Sequence, residues 1–472
     1  MPGEYFEARE RALLGTRYDV LYTAPCAVRR GVTVNGLRCA PQEFAAAVDF
    51  GLEPSPFCDA AFLLTDPQLR PGRHAYHHAG VFYVQEPSAS VPAGLLGVRP
   101  GERVLDLCAA PGGKTSQLAA ALRGEGLLVA NEYVAARVGV LKSNLERMGV
   151  TNALVLNEST ARVAAAFPAF FDKILVDAPC SGEGMFRKEP EALRQHSAAL
   201  GASILDDAAA ALRPGGLLCY STCTFAPEED EAQVGAFLAR HPEFTVLPAP
   251  TNAGAPGEAA RCGAHPFAAE HTRRIYPCHG GEGHFMALLQ KRGDGAPPEA
   301  EQARPRAARG QRGAKRGRDM RACRPAQGGN GVSRAEARAE GEAFLREYFP
   351  GAAQLPLECR GTELFVLSRE GCGPAEGLRV VQAGVCAGSA ARGRFVPAHH
   401  LFMAYGAQCA NAERLTLADP RTAAWLRGEA IPAETAAPGW AAVLADGFPL
   451  GFGKQSGGVV KNHYPKGLRN LK

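Results

Sequence analysis

The sequence predicts an α/β protein with a doubly wound, largely parallel sheet at its centre and smaller domains on either side. Three observations indicate this. Short β-rich runs alternate with Ala- and Leu-rich helical stretches between residues 100 and 290, a glycine-rich turn follows the first run, and a basic segment without aromatic residues lies beyond the last. Alternating strands and helices imply right-handed crossovers and parallel strands.

Composition sets limits on the class of protein. With 472 residues, 46% of them hydrophobic, the chain can bury a large core divided among two or three domains. No apolar run approaches the ~20 residues that a membrane span needs, and residues 1–10 lack a basic region followed by an apolar one. We therefore expect a cytoplasmic protein with no membrane partner. The 14 cysteines include no Cys-x-x-Cys pair, so neither a metal site nor a disulfide framework is predicted.

Four segments are predicted. Residues 1–85 form a small mixed α+β domain, in which Phe6, Leu13, Leu14 and Leu21 recur at helical spacing and are expected to be core. Residues 86–292 form the alternating domain. Residues 293–333 form a linker, and residues 334–472 the C-terminal part, which opens with a helix capped by Ser333 and Glu336.

The linker is strongly basic. Residues 291–334 contain twelve Lys/Arg and four Asp/Glu, a net charge of +8. Such a composition cannot bury enough apolar surface to offset chain entropy, so a flexible segment is predicted. A solvated tether and an arginine-rich arm that touches phosphates are equally compatible with it.

The strands of the alternating domain lead to a ligand pocket. They are predicted at Val104–Cys108, Leu127–Asn131, Ala153–Leu156, Lys173–Asp177, Leu217–Ser221 and Phe285–Gln290, with helices that include Ser116–Arg123 and Ala135–Met148. Ligands of such sheets bind at the carboxyl ends of the strands. After Asp106, the turn Ala109–Lys114 enters a helix, and its Gly112 and Gly113 let the backbone approach a ligand.

The turn excludes two common nucleotide sites. A phosphate loop requires glycine at the position of Cys108, and the dinucleotide fingerprint Gly-x-Gly-x-x-Gly is absent. An adenosine ligand without a pyrophosphate remains. Glu132, just past the second strand, suits a carboxylate that accepts hydrogen bonds from two ribose hydroxyls. S-adenosylmethionine meets these requirements.

Two cysteines follow neighbouring strands on the ligand side. Cys180 lies in Asp177-Ala-Pro-Cys and Cys223 in Tyr220-Ser-Thr-Cys. Cytosine carbon 5 is a poor nucleophile until a thiolate adds to carbon 6 and turns the ring into an enamine. Two thiols beside a methyl donor therefore suit cytosine-5 methylation.

The chain resembles the RNA cytosine-5 methyltransferase family, most closely its bacterial ribosomal-RNA branch with a C-terminal RNA-binding extension. The resemblance rests on Arg30–Asn35, Tyr83–Ser88, Asp106–Thr115, Phe171–Gly182, Tyr220–Thr224, Arg274–Pro277 and Gly281–Phe285. It implies a Rossmann-like methyltransferase core, a supporting N-terminal domain and a β-barrel (PUA-like) domain at the C-terminal end.

The resemblance also implies residue roles. Cys223 is the nucleophile, Cys180 assists product release, and Asp177 holds the cytosine edge and touches the cofactor. Lys173 corresponds to a lysine near the target base, although a strand residue in a salt bridge is the alternative. Arg137 either contacts the cofactor or caps a helix, and Glu158 is preferred among residues 157–159 as the adenine-side contact. The cofactor set is Cys108, Ala109, Ala110, Pro111, Gly112, Gly113, Lys114, Glu132, Arg137, Glu158 and Asp177.

The C-terminal tail predicts RNA contacts. From Gly447 to Lys472 there are five Lys/Arg and no Asp/Glu, interleaved with Phe448, Phe452 and Tyr464. This pattern suits phosphate contacts plus base stacking. The expected substrate is small-subunit ribosomal RNA, free or in the subunit. Transfer RNA, and a non-catalytic role in ribosome assembly, remain as alternatives, and the oligomeric state is left open.

Overall fold

The computed structural model describes residues 4–23, 28–185, 198–293, 332–371, 373–391 and 393–470. The N-terminal elements are α1 (Glu4–Leu14), β1 (Gly31–Val34), α2 (Pro41–Ala47), β2 (Leu52–Pro54), β3 (Ala61–Leu64), α3 (Ala75–His78) and β4 (Phe82–Gln85). The strands form an antiparallel sheet in the order β2-β3-β1-β4. Phe6, Leu14 and Leu21 are buried, as predicted, but they pack on Phe225 and Tyr276 of the alternating region and not within their own sheet.

The alternating region forms the large central sheet. Its elements are α4 (Val91–Leu95), β5 (Arg103–Asp106), α5 (Gly113–Leu122), β6 (Leu127–Asn131), α6 (Ala135–Met148), β7 (Ala153–Leu156), α7 (Thr160–Ala166), β8 (Phe171–Asp177), α8 (Ala198–Ala211), β9 (Leu212–Thr222), α9 (Glu231–Arg240), β10 (Phe244–Leu247), β11 (Ala255–Pro256), β12 (Arg273–Ile275) and β13 (His284–Lys291). Strands β9-β8-β5-β6-β7 are parallel neighbours, and β13 pairs antiparallel with β9. The doubly wound fold predicted from the alternation is confirmed.

Buried apolar side chains cover both faces of this sheet, as a doubly wound fold requires. One cluster includes Leu105, Val129 and Ile174, and the other includes Val104, Leu128 and Leu175. Successive strand residues thus point to opposite cores. The registers Asp106↔Leu175 and Asp177↔Ser221 bring the carboxyl ends of β5, β8 and β9 to one edge.

The start of β9 differs from expectation. The sequence places Leu212–Gly216 in a turn before the strand, whereas the strand begins at Leu212. Its pairing with β8 shifts between Phe171↔Leu212 and Lys173↔Leu217, so the Pro-Gly-Gly stretch is accommodated as an irregularity within the ladder. Gly215 has φ +76°, which favours glycine at that point.

The C-terminal part contains two further sheets. Its elements are α10 (Arg334–Tyr348), β14 (Leu357–Arg360), β15 (Glu363–Val366), β16 (Val380–Ala383), β17 (Val385–Ala391), β18 (Arg394–Pro397), α11 (His399–Tyr405), β19 (Ala412–Leu415), α12 (Pro420–Arg427), β20 (Ile431–Pro432), β21 (Gly439–Ala445), β22 (Phe448–Ser456) and β23 (Val459–Asn462). The sheets have the orders β14-β15-β17-β18 and β19-β21-β22-β23-β20, while β16 joins β7 at the edge of the central sheet. Most of the predicted linker, residues 294–331, lies outside the described residues.

Local signals at the start of this part are confirmed. Ser333 and Glu336 form the predicted reciprocal cap of α10, in which the Ser333 hydroxyl accepts from the Glu336 amide and the Glu336 carboxylate accepts from the Ser333 amide. The helix ends at Tyr348, as the sequence indicates.

Two of the three tail aromatics, Phe452 and Tyr464, are buried and cannot stack on bases, which corrects the prediction made for them. Phe452 is 5% exposed and stacks on Phe402, and Tyr464 is 2% exposed. The Tyr464 hydroxyl lies 2.7 Å from Nδ1 of His78 in the N-terminal domain. These rings belong to the core that joins the last sheet to its neighbours. The sequence did not reveal this because the spacing of aromatic and glycine residues does not show which side of a strand faces solvent.

Two kinds of feature are absent from the described residues. In the described ranges, no helix has both the length and the apolar character that a membrane span requires. Across the same residues, no cluster of three or more His, Cys, Asp or Glu side chains is arranged to hold a metal ion.

Candidate active site

The turn after β5 presents backbone amides at the carboxyl edge of the sheet. Gly112 caps α5 with φ +111°, a conformation that side-chain-bearing residues rarely adopt, and Gly113 opens the helix. Asp106, the last residue of β5, holds the turn against α5 because its Oδ2 accepts a 2.7 Å hydrogen bond from the Thr115 hydroxyl. Burial raises the pKa of Asp106 to about 7. The first amides of α5, which have no acceptor within the helix, therefore lie at the carboxyl edge of the sheet.

Glu132 lies beside this turn, and one of its carboxylate oxygens makes no hydrogen bond. Its side chain is almost fully buried, and Oε1 accepts a 2.8 Å hydrogen bond from the Val134 amide. Oε2 makes no hydrogen bond, although Arg137 Nη1 lies 3.3 Å away. Arg137 also donates from Nη2 to the carbonyl of Ala110 at 2.6 Å, so it links Glu132 to the glycine turn. A buried carboxylate oxygen without a donor is suited to a ligand hydroxyl.

Glu158 lies at the end of β7, on the same edge. Its Oε1 accepts a 2.7 Å hydrogen bond from the backbone amide of Arg379, and Oε2 lies 3.3 Å from Arg162 Nε. Cys108 and Ala109 are also at this edge, where the Ala109 amide donates to the carbonyl of Asn131. Burial raises the pKa of the Cys108 thiol well above its usual value. The Cys108 thiol is therefore a neutral group at this edge of the sheet.

The two candidate thiols meet. Cys180 Sγ and Cys223 Sγ are 3.4 Å apart, as expected for loops that follow adjacent strands. A hydrogen bond from the Cys180 thiol lowers the pKa of Cys223, and Lys114 acts in the same direction. That hydrogen bond and burial raise the pKa of Cys180. These opposite shifts favour Cys180 as the thiol donor and Cys223 as the sulfur whose thiolate form is stabilised.

A carboxylate and a lysine lie next to the thiols. Lys114 Nζ is 2.8 Å from Asp177 Oδ2, and Ser221 Oγ donates to Asp177 Oδ1 at 2.7 Å. Although burial opposes the shift, Lys114 lowers the pKa of Asp177, so the carboxylate is ionised. Lys114, predicted as a cofactor ligand, is therefore part of the charge arrangement around the thiols.

His284 is a component to which the sequence argument gave no role. Its Nε2 lies 3.8 Å from Asp177 Oδ1. Burial and the nearby Lys114 lower the pKa of His284 to about 3, so the ring is neutral at physiological pH. Its position in the segment Gly281–Phe285, one of the motifs that carry the resemblance, is the signal that could have identified it.

A buried network fixes the loops that carry the cysteines. Glu229 accepts from the Ser181 amide at 3.1 Å and from the Ser181 hydroxyl at 2.5 Å, and that hydroxyl lies 2.7 Å from the Thr224 hydroxyl. Arg9 of α1 pairs with Glu183 through contacts of 3.0 and 2.6 Å. The sequence argument missed both carboxylates, and the only signal was their position just after each cysteine motif.

Lys173 does not reach this site. Its ammonium group donates to the carbonyl of Gly97 at 2.5 Å and lies 3.0 Å from Glu102 Oε2. Lys173 is in β8 four residues before Asp177, which at ~3.3 Å per residue separates the two by roughly 13 Å. The salt-bridge alternative is therefore correct, and Lys173 is not retained as a catalytic residue.

The hydrogen bond between the two thiols should affect the pH at which Cys223 becomes reactive. In Cys180→Ala, Cys223 loses the donor that stabilises its thiolate, so the pH midpoint for its alkylation by iodoacetamide should move upward. Peptide-resolved mass spectrometry after alkylation across a pH series measures this midpoint. Cys58→Ala, which removes a thiol elsewhere, should leave it unchanged. A midpoint that stays constant or falls in Cys180→Ala would contradict the assignment of donor and acceptor.

Comparison with known proteins agrees with this arrangement. Four family descriptions match in succession: the N-terminal domain of 16S rRNA methyltransferase RsmF over residues 1–87, 16S rRNA methyltransferase RsmB/F over 93–290, the first C-terminal domain of the RsmF rRNA methyltransferase over 343–405, and the methyltransferase RsmF PUA domain over 412–470. Residues 93–290 thus match the RsmB/F methyltransferase family, and the segments on either side match three RsmF domains. The resemblance inferred from the motifs is confirmed.

Curated relatives match part of their length. Ribosomal RNA small subunit methyltransferase F of Serratia proteamaculans (strain 568) is 38% identical over 279 residues, which cover 56% of this chain and 57% of the relative. The protein of the same name from Klebsiella pneumoniae (strain 342) is 37% identical over 308 residues, covering 61% and 63%. The matched segment thus spans about three fifths of these relatives.

Solved structures agree on the fold. A methyltransferase homolog protein from Pyrococcus horikoshii aligns with a TM-score of 0.52 and 29% identity, over 61% of this chain and 99% of that one. NSun6 from the same organism, solved with SFG, gives a TM-score of 0.51 at 19% identity over 62% and 98%, which supports the fold alone. The central sheet is therefore the Rossmann-like core of S-adenosylmethionine-dependent methyltransferases.

The residues present fit that cofactor. The Glu132 oxygen without a hydrogen-bond donor suits a ribose hydroxyl, and the amides at the start of α5 suit a carboxylate. Ala109, Ala110 and Pro111 form the turn between β5 and that helix. Glu132, Gly112, Gly113 and the flanking turn would therefore hold S-adenosylmethionine at the carboxyl edge of the sheet.

Proposed function

We propose that this protein methylates carbon 5 of a cytosine in small-subunit ribosomal RNA, with S-adenosylmethionine as the methyl donor and Cys223 as the covalent nucleophile. The observation that carries the proposal is the 3.4 Å contact between two thiols, one with a lowered and one with a raised pKa, beside the ionised Asp177. The relatives named small subunit methyltransferase F support the choice of RNA. We place this activity in the cytoplasm.

The chemistry follows from the protonation states. The Cys223 thiolate forms a bond to carbon 6, and the electrons of the ring double bond move to carbon 5. Asp177, held by Lys114 and Ser221, accepts hydrogen bonds from the amino edge of the base and stabilises a proton on ring nitrogen 3. S-adenosylmethionine, when bound, supplies an electrophilic methyl group for carbon 5.

Product release uses the second thiol. When water accepts the carbon 5 proton, the electrons of that C–H bond restore the ring double bond, and the bond between carbon 6 and sulfur breaks with its electrons returning to Cys223 as a thiolate. The Cys180 thiol, 3.4 Å away, stabilises that thiolate by a hydrogen bond. The same contact thus lowers the free energy of Cys223 as a nucleophile and as a leaving group.

The last sheet supplies a cationic surface for RNA. Trp440, Lys454 and Lys461 are directly opposite one another on β21, β22 and β23, so their side chains share one face. Lys454 Nζ lies 5.5 Å from the Trp440 ring centroid, and both lysines are exposed. Like charges in opposite positions destabilise a sheet unless a polyanion neutralises them. The row of Trp440, Lys454 and Lys461 therefore supports RNA binding by this sheet, a role that the buried Phe452 and Tyr464 cannot have.

The test of the proposal is product identification. The full-length protein is incubated with S-adenosylmethionine carrying a labelled methyl group and with small-subunit ribosomal RNA, assembled subunits or transfer RNA. The RNA is digested and its nucleosides are resolved by mass spectrometry. The proposal predicts labelled 5-methylcytidine in ribosomal RNA. Labelled transfer RNA alone would favour the transfer-RNA alternative, and no labelled product in any RNA would favour a non-catalytic assembly factor.

Glu132→Ala tests the cofactor site. The change removes a charged acceptor for the ribose hydroxyls, a contact worth ~1.5–3 kcal/mol, so affinity for S-adenosylmethionine should fall by more than about tenfold. Isothermal titration calorimetry measures this change. Glu125→Ala, an exposed carboxylate just before β6 and at the opposite end of the strand, is the matched control. Equal affinities in wild type and Glu132→Ala would overturn the cofactor assignment.

Lys454→Ala combined with Lys461→Ala tests the RNA surface. Each lysine that contacts a phosphate releases about one counterion, so the slope of log affinity against log salt should become shallower by roughly 1.4–1.8. Filter binding at several salt concentrations measures it, with Lys142→Ala on α6 as a control that removes one lysine from another part of the chain. Deleting residues 439–472 is not a clean test because it removes the buried Ala441–Ala445. An unchanged slope would exclude this surface.

A further inference from the structure

A strand from the C-terminal part lines the cofactor domain. Strand β16 pairs antiparallel with β7, with Val380 opposite Leu156 and Ala383 opposite Leu154. The ladder continues at both ends, where the Asn157 amide donates to the Arg379 carbonyl at 3.1 Å and the Gly384 amide to the Ala153 carbonyl at 2.9 Å. A segment from beyond the basic linker thus forms the edge of the central sheet.

This pairing brings Arg379 to the carboxyl end of β7. Its Nη1 donates to Asn157 Oδ1 at 3.1 Å, and its backbone amide donates to Glu158 Oε1 at 2.7 Å. Asn157 in turn donates from Nδ2 to the carbonyls of Glu132 and Tyr133 at 2.8 and 2.9 Å. Arg379 is therefore one hydrogen-bonded residue away from the loop that carries the ribose-binding carboxylate.

A cavity of about 460 Å³ lies at this junction, lined by Tyr133, Ala135, Asn157, Glu158, Ser159 and Arg379. The Tyr133 side chain is 73% exposed and offers a ring face. The planar guanidinium of Arg379 offers a second flat surface with donors at its edge. Glu158 Oε2, which lies 3.3 Å from Arg162 Nε, has a further lone pair that can accept from an exocyclic amino group. Flat surfaces with donors and an acceptor suit an amino-bearing purine.

We propose that Arg379 is a cofactor-binding residue that completes the adenine side of the pocket from the C-terminal part of the chain. The inference rests on the cofactor assignment made above and extends it across the linker. Its consequence is thermodynamic linkage: cofactor that contacts Arg379 stabilises the pairing of β16 with β7, and this pairing in turn raises affinity for the cofactor. The RNA-binding part of the chain therefore contributes to cofactor binding.

The test is titration of full-length variants with S-adenosylhomocysteine by calorimetry. Arg379→Ala should weaken binding by about tenfold, the effect of losing one contact from a charged group. Arg379→Gln, which keeps a planar donor, should recover part of that loss and guards against misfolding of the alanine variant. Arg394→Ala, an exposed arginine on β18 of the same part, should bind as wild type does. Unchanged affinity in Arg379→Ala overturns the inference.

Hydrogen exchange supplies an independent readout. Saturating S-adenosylhomocysteine should slow exchange of the amides of residues 379–384 in the wild type and slow it less in Arg379→Ala. Equal protection in the two proteins overturns the linkage. The underlying assignment fails separately, if wild type binds no S-adenosylhomocysteine or if Glu132→Ala binds it equally well. Failure of Arg379→Ala alone, with Glu132→Ala weakened, rejects only the role of Arg379.

Discussion

Replacement of Cys223 by alanine is expected to abolish both methylation and the covalent RNA complex, whereas Cys180→Ala should accumulate a complex that survives denaturing gel electrophoresis. The reason is the 3.4 Å contact between Cys180 Sγ and Cys223 Sγ. Without Cys223 no thiolate reaches carbon 6. Without Cys180 the adduct still forms, but its departing sulfur lacks the hydrogen-bond donor that stabilises the thiolate. The adduct therefore persists.

Cys219→Ala is the control for this pair because it removes a thiol from β9 four residues before Cys223, in the buried core. It should behave as wild type in both assays. A covalent complex in Cys223→Ala and none in Cys180→Ala would reverse the roles. That outcome would assign Cys180, the thiol that follows Pro179, as the nucleophile.

Asp177→Asn should lower the single-turnover rate of methylation by about 10²–10⁴-fold, the range typical of losing a positioned acid–base group. The amide keeps the size of the side chain but removes the negative charge that holds Lys114 at 2.8 Å and stabilises a proton on the cytosine ring. The buried Lys114 is then left without its ion pair. Rapid-quench measurement with saturating cofactor and RNA reports this rate.

The matched control for Asp177 lies on the same strand. Asp172→Asn removes a carboxylate at the opposite end of β8, where it pairs with Arg213 at 2.6 Å. It should affect thermal stability and leave the single-turnover rate within about threefold of wild type, as expected for a residue away from the reacting atoms. A rate for Asp177→Asn inside that same threefold range would remove Asp177 from the chemistry.

Sequence reasoning reached the features that depend on strand order. Parallel strands expose their carboxyl ends at one edge, so the loops after β8 and β9 bring Cys180 and Cys223 together without any knowledge of side-chain contacts. Glu132 follows from the same rule, as the first residue past β6. The catalytic assignment of Lys173 was wrong because the motif match took no account of its position in β8, four residues before the strand ends at Asp177.

Features that depend on pairing between strands distant in the sequence could not be predicted. Strand β16 joins β7 across more than 200 residues of sequence, and nothing in a short β-rich run indicates which edge it will extend. The burial of Phe452 and Tyr464 likewise depends on strand register and on docking to the N-terminal domain. Arg379, which the pairing of β16 with β7 brings to the carboxyl end of β7, could not be distinguished by sequence from other arginines of the C-terminal part.

The central claim is tested most directly by bisulfite sequencing of small-subunit ribosomal RNA from cells that lack this protein and are complemented with either wild type or Cys223→Ala. The account predicts a cytosine that resists conversion with wild type and is fully converted with no protein or with Cys223→Ala. An identical conversion pattern in all three strains, or protection of that cytosine by Cys223→Ala, would contradict it.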